Sequence, residues 1–303
     1  MKLIRITLLA LLMAATTYAH AKDSDREDPE PTEQEELAIA ALEGLMAQSP
    51  ERSLPILKKV MAGQQSTVVK RRALFVLSQV GSPEARDILM QTARGANAEL
   101  RGEAIRSIGI SGDPKSLDAL QEVYKTGTPE LKGDILQAWM IAGRKQAVFE
   151  AALNAKTEEE ASEAIRMLGV MGATEELRKL GDRPNAQPGL LDAFAVSGDL
   201  AGLRKIVDGK GPHDLRVDAV QRIGIINSDA ARAALREIYT TNTDAEMKEA
   251  ALHGMLIASD EKGVLALYRV AKTTEEKRSL LRMLSMMDGD AALEAIDAAL
   301  EKK

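Results

Sequence analysis

Residues Glu99–Pro129 read "ELRGEAIRSIGISGDPKSLDALQEVYKTGTP", and residues 130–159 continue "ELKGDILQAWMIAGRKQAVFEAALNAKTEE". The second stretch restates the first 31 residues later, with the same opening Glu-Leu-basic-Gly-acid and a Gly at the same interior step. Self-similarity at a fixed period of 20–50 residues is the mark of a repeat architecture. Working outward from this pair, eight segments fall into register, starting at Val68, Glu99, Glu130, Glu159, Asn185, Asp214, Glu246 and Glu275. Counting columns from these starts, column 7 reads Leu74, Ile105, Leu136, Ile165, Leu191, Val220, Leu252, Leu281. Column 10 reads Leu77, Ile108, Trp139, Leu168, Phe194, Ile223, Met255, Leu284, and column 6 is Ala, Ile or Leu throughout. Columns 6, 10 and 13 stand at i, i+4 and i+7, the spacing of one buried helical face.

Column 14 ends each of these helices with Gly81, Gly112, Gly143, Gly172, Gly198, Asn227, Ser259 and Asp288. Gly and Asn enter the left-handed backbone of a helix C-cap at low cost. A second amphipathic stretch then follows, as in "SPEARDILMQTAR", "DPKSLDALQEVYK" and "SDAARAALREIYT". Several open on Ser or Asp followed by Pro, an N-cap and first-turn pair. Each unit is therefore read as a helical hairpin. One hairpin cannot cover its own apolar face, so the units are expected to stack into a solenoid. An earlier pair, "EQEELAIAALEGLMAQ" and "LPILKKVMAG", brings the expectation to about nine hairpins. The fold class is all-α, an α-α superhelix over residues 33–303.

The pattern in "ELRGEAIRSIGISGDPKSLDAL" resembles the short HEAT-like repeats of the phycobilin-lyase type: an early basic residue, Ala or Ile, a small residue, Gly, Asp-Pro, then an apolar helix. The resemblance covers about Glu33 to Leu300 and implies a HEAT/armadillo-like solenoid, as found in exported bacterial repeat proteins among others. Tetratricopeptide repeats fit less well, because their period is 34 and their Trp-Leu-Gly-Tyr pattern is not consistently present.

The chain ends bear on location. Lys2 and Arg5, the apolar run Ile6–Ala15 and Ala19-His20-Ala21 form a secretory signal, cleaved after Ala21. The mature chain is expected in the periplasm, with no transmembrane segment left. Removing Lys2 and Arg5 takes the net charge from −6 to −8, which disfavours nucleic acid, whose binding rests on Lys and Arg. Residues 22–36 hold eight acids against two bases, and 22–32 read as a disordered acidic leader. An irregular repeat near 173–213 carries Pro184, Pro188 and Gly189, and the cap spacing falls there from 31 to 29 and then 26. That irregularity is either drift in a tolerant repeat or a bend.

Convergent chemistry is scarce. Cys is absent, so thiolate sites and disulfides are excluded. No phosphate-binding Gly loop or nucleophile elbow occurs. His213 and His253 have no His at i+4 and no His-Glu dipeptide, the step that the resemblance to HEAT-repeat iron hydroxylases would require. No catalytic residue, cofactor or metal is assigned. The alternative is an enzyme or metal-binding protein using His213, His253 and nearby acids, and a purely structural envelope protein is a further one. Bases recur in column 3 (Lys70, Arg101, Lys132, Arg216, Lys248, Lys277) and acids in column 5; the resemblance to HEAT-like families implies that they pair in a ladder between adjacent repeats.

Column 8 points away from the core and differs in every copy: Phe75, Arg106, Gln137, Arg166, Asp192, Gln221, His253, Arg282. A varied row of long side chains on a repetitive frame suits recognition of a protein or extended peptide, and these eight residues are the candidate partner-binding site; the resemblance to HEAT-type solenoids, in which one helix of each pair lines the concave wall, implies that they lie on the concave face. Column 12 is apolar: Ile110, Ile141, Val170, Val196, Ile225, Ile257 and Met286, with Gln79 the exception. Lateral packing against the next repeat is the expected use. If exposed, the column forms an apolar stripe that marks a partner site.

Overall fold

The computed structural model describes residues 30–181, 187–287 and 289–301. The signal segment and residues 22–29 of the leader lie outside them, as do Pro184 and Asp288. The described residues form α-helices without strands. The chain divides after Arg144 into two compact units, each taken here by itself.

The first unit holds α1 (Glu33–Gly44), α2 (Pro50–Ala62), α3 (Thr67–Val80), α4 (Pro83–Ala93), α5 (Ala98–Ser111), α6 (Pro114–Thr126) and α7 (Pro129–Ile141). The second holds α8 (Lys145–Leu153), α9 (Glu158–Val170), α10 (Thr174–Leu180), α11 (Gln187–Ser197), α12 (Leu200–Val207), α13 (His213–Ile226), α14 (Asp229–Thr241), α15 (Ala245–Ile257), α16 (Glu261–Val270), α17 (Thr274–Ser285) and α18 (Asp290–Glu301). In chain order these eighteen helices make nine pairs, in line with the repeat count.

Local sequence sets the helix limits. Gly81, Gly112, Gly143, Gly172 and Gly198 all take φ between +61° and +74°, and Asn227 and Ser259 follow at +47° and +49°. Seven of the eight column-14 residues thus hold the left-handed cap. Ser66, Ser82, Asn97, Asp113, Thr128, Thr157, Ser228 and Thr273 each accept a backbone N–H of the helix they open, a contribution of about 1 kcal/mol apiece. Thr32, the last leader residue, closes a capping box with Glu35. Pro188 sits at the second position of α11, where its missing N–H costs no helical bond.

The odd-numbered helices form a wall in each unit. In the first, α1, α3, α5 and α7 each pack on the next; in the second, α9, α11, α13, α15 and α17 do the same, straight through the irregular repeat. Columns 6 and 10 are buried in all eight copies, and column 7 in all but Leu281. A fully buried Leu or Ile contributes about 1.5–3 kcal/mol, so this seam dominates the folding energy. Trp139 is core, as its column predicts: its ring stacks obliquely on Tyr124 at 5.3 Å, and Nε1 donates to the Leu117 carbonyl at 3.1 Å. Even-numbered helices lie against the wall from behind.

Column 11 governs how closely wall helices approach. A Cβ on Gly109 would stand 2.8 Å from Ala138 Cα, and one on Gly169 would stand 2.9 Å from Ala193 Cα. Gly224 meets Gly254 in the same manner. At these three glycines column 11 faces column 9 of the next repeat, while Gly189 in column 5 faces Ile165 in column 7. The wall helices therefore run parallel.

Ion pairs join hairpins on both layers. On the wall, Arg72 pairs with Glu43, Arg222 with Asp192, and the column-3 base Lys248 with Glu276 of the next repeat, an acid of column 2 rather than column 5. The second helices carry a further set: Lys58 with Glu84, Arg86 with Asp113, Arg178 with Asp199, Arg204 with Glu237, Arg236 with Asp260, and Arg269 with Glu294. At Asp118–Arg144 the polarity is reversed, acid on the helix and base at the cap position. Three column-3 bases also reach back to the preceding second helix. The Lys132 ammonium lies 5.5 Å from the Tyr124 ring centre, that of Lys248 lies 4.8 Å from Tyr239, and Arg216 Nε donates to the Val207 carbonyl at 2.8 Å. All three targets lie in the last turn of their helix, where a cation also meets the negative end of the helix dipole.

Candidate functional site

The candidate site is the open side of each wall. In the first unit, Phe75, Arg106 and Gln137 come together along one groove of about 1110 Å³, floored by α3, α5 and α7 and flanked by Ile39 and Glu43 of α1. Phe75 is half-buried. The Arg72 guanidinium lies 4.9 Å from its ring centre and pairs with Glu43 on the neighbouring helix. Arg106 and Gln137 are half-buried, and Ile110 closes the groove near the C-terminal end of α5. The lining alternates in charge, with Arg71, Arg72, Arg101 and Arg106 among Glu43, Glu99, Glu103, Glu130 and Asp134. Such a surface orients a polar chain but sets no single strong field.

In the second unit, the remaining five column-8 residues lie on consecutive wall helices. Arg166 is held by Glu163 of its own helix at 2.5 Å, and its partial burial lowers the guanidinium pKa from the ordinary value. Asp192 receives Arg222 Nε at 2.5 Å from the next wall helix. Gln221 is half-buried, while His253 and Arg282 are exposed.

Column 12 corrects the sequence reading. Ile110, Ile141, Val170, Val196, Ile225, Ile257 and Met286 are 39–62% exposed, one in each repeat. They do not pack laterally. Column 11 takes that role by bringing the backbones together, which lifts column 12 onto the open rim. Exposure of a single Ile needs no explanation, but the same exposure at one position in seven repeats does. The row was visible in the sequence; its orientation was not, because a wheel angle does not say how near the neighbouring helix stands.

The histidines do not converge. His213, at the start of α13, bonds Asp244, the N-cap of α15, at 2.8 Å, with Glu246 and Asp214 at 3.5 and 3.8 Å. That hydrogen bond and the surrounding carboxylates raise the His213 pKa above the usual range. His253 lies nine residues beyond Asp244 on the same helix, about 13 Å along its axis. Among the described residues no group of three or more His, Asp or Glu side chains is arranged to hold a metal ion. His213 instead clasps two adjacent wall helices. Among the described residues no helix is long and apolar enough to cross a membrane.

Part of the chain matches a known repeat family, and several solved structures are similar at low identity. The family model for HEAT repeats matches residues 54–139, from α2 to α7. A structure of human deoxyhypusine hydroxylase in complex with glycerol is similar at 14% identity, covering 83% of this chain and 97% of its own, with a TM-score of 0.34. The complex of CpcE and CpcF of phycocyanin lyase from Nostoc sp. is similar at 17% identity, over 87% of this chain and 97% of its own, with a TM-score of 0.36. An engineered protein aligns at 16% identity over 90% of each chain, with a TM-score of 0.34. None of the curated proteins matches. Residues 54–139 are thus similar to HEAT repeats, and the described residues form an all-α array of helical hairpins.

Proposed function

We propose that this protein is a non-catalytic scaffold whose wall helices hold a segment of a partner protein. One observation carries the reading: each repeat from Ile110 to Met286 presents an exposed apolar residue at one position, beside a polar column that changes from copy to copy. Constant apolar contact supplies affinity, and varied neighbours supply register and choice of partner. HEAT repeats commonly serve as protein-binding frames, and the groove holding Phe75, Arg106 and Gln137 is open enough for a peptide.

Residues 1–21 act as a cleaved secretory signal in this reading, so the partner is met in the periplasm. Amino-terminal sequencing of the envelope form should begin at Lys22. For binding, Arg106→Glu with Arg166→Glu should abolish capture of the native partner from envelope extracts while the helical circular-dichroism signal stays intact. Undiminished capture by the folded double variant would contradict the proposal.

A further inference from the structure

Resting on that reading, we infer that the rim of the second unit takes a basic amphipathic helix as its partner segment. The surface is the row Val170, Val196, Ile225, Ile257 and Met286, exposed by 41, 60, 44, 44 and 62%. The row is continuous, because α9, α11, α13, α15 and α17 each pack on the next and run parallel. At interaxial distances of 8–10 Å, five such helices set a stripe about 32–40 Å long. An apolar stripe of that length is matched by a helix of about 21–27 residues at 1.5 Å per residue. Seven residues of that helix, about two turns, rise about 10.5 Å, near the spacing of the row.

The charge of the occupant follows from where the row sits. Every column-12 residue lies at or just past the last turn of a wall helix. Parallel wall helices bring the negative ends of their dipoles to the same rim. Basic side chains ordinarily gather in a last turn, yet α9, α11, α13 and α15 have none there, and only α17 supplies one, Arg282. The second helices α10, α14 and α18 begin at the same rim with their positive ends, and their first turns carry exposed acids at Glu175, Asp229 and Asp290. Of the nearby cations, Arg232 folds onto Asp229, Asn227 and the Ala258 carbonyl at the end of α15, and Lys262 is free to solvent. Residues 145–303 carry 22 Lys and Arg against 27 Asp and Glu, a net of −5. An apolar row on a negative rim fits a segment with an apolar stripe flanked by Lys or Arg. It disfavours a second copy of this acidic rim and an anionic bilayer.

The test uses the full mature chain and fluorescein-labelled 24-residue peptides made only of Lys and Leu. In the first, Leu occupies one helical face; in the second, the same composition is scrambled; in the third, Glu replaces every Lys. The first peptide should bind at least tenfold more tightly than the other two by fluorescence anisotropy. Ile225→Asn with Ile257→Asn should weaken it at least tenfold and leave the circular dichroism unchanged. Equal binding of the scrambled peptide would reduce the effect to charge attraction and overturn the inference. So would an unaltered affinity in the double variant, or a dimer in light scattering that this variant dissolves. If the peptides fail while Arg106→Glu/Arg166→Glu still loses the native partner, the basic-helix inference falls and the scaffold reading stands.

Discussion

Gly224 of α13 faces the backbone of Gly254 in α15 so closely that a Cβ at 224 would stand 2.8 Å from Gly254 Cα. The glycine is therefore a packing device, and its replacement should reverse the usual helical trend. Gly224→Ala should destabilise the second unit by about 1–3 kcal/mol through overpacking. Gly44→Ala, at a helix end with nothing within 4 Å, should stabilise by about 0.5–1 kcal/mol. Urea midpoints of the two variants should move in opposite directions; a shared direction would mean that the close approach is not what constrains position 224.

Asp199 performs two tasks from a buried position, 3% exposed. It accepts the Gly202 N–H at 3.0 Å as the cap of α12, and it receives Arg178 Nε at 2.7 Å from the preceding hairpin. Asp199→Ala should cost about 2–3 kcal/mol, joining the loss of a cap to that of a charge-assisted bond. Asp199→Asn keeps the capping oxygen and should cost roughly half as much. Denaturant unfolding of both variants checks the order.

His213 and Asp244 make stability depend on pH. The hydrogen bond that His213 donates to Asp244, then the charges of Asp244, Glu246 and Asp214, raise the folded pKa of His213. The clasp therefore stabilises fully below the ordinary imidazole range and fades as pH rises through the raised value. Asp244 is held low by the Met247 N–H and by His213, so its share is lost only as pH falls through its depressed value. The difference in melting temperature between the natural chain and His213→Asn should be largest near pH 5.5 and shrink by pH 8.5. A difference that grows with pH would reverse the assignment.

Two isoleucines one turn-face apart on α13 separate core from rim. Ile223 is fully buried and Ile225 is 44% exposed. Ile223→Ala should cost about 2–5 kcal/mol, whereas Ile225→Asn should change stability by no more than about 0.5 kcal/mol. A large loss at 225 would show that the row is structural after all.

Core and caps were legible because each is decided within one repeat. Periodicity alone places Leu77, Ile108 and Trp139 on a buried face, and Gly81 or Asn227 declares a left-handed backbone without reference to anything distant. What escaped depends on the distance between repeats. The contact of Gly109 with Ala138 follows from two columns read together, and exposure of column 12 is its consequence. The family resemblance matched the bases of column 3 with acids of column 5; Lys248 pairs instead with Glu276 in column 2 of the next repeat, and Lys132 and Lys248 reach the faces of Tyr124 and Tyr239 on the preceding helix. The ion pairs of the second helices, such as Arg86 with Asp113, recur too irregularly in sequence to stand out. Of the eight column-8 residues, the structure gathers Phe75, Arg106 and Gln137 into one groove; it ties Asp192 to Arg222 and Arg166 to Glu163, and leaves His253 and Arg282 open to solvent.

The most direct test of the binding wall is photo-crosslinking in living cells. A benzophenone side chain would be placed at Val196, on the rim, or at Lys205, exposed on the second helix α12 of the same hairpin. A discrete adduct with one partner protein from position 196, and none from 205, is the predicted result. An adduct from 205 with none from 196 would contradict the account.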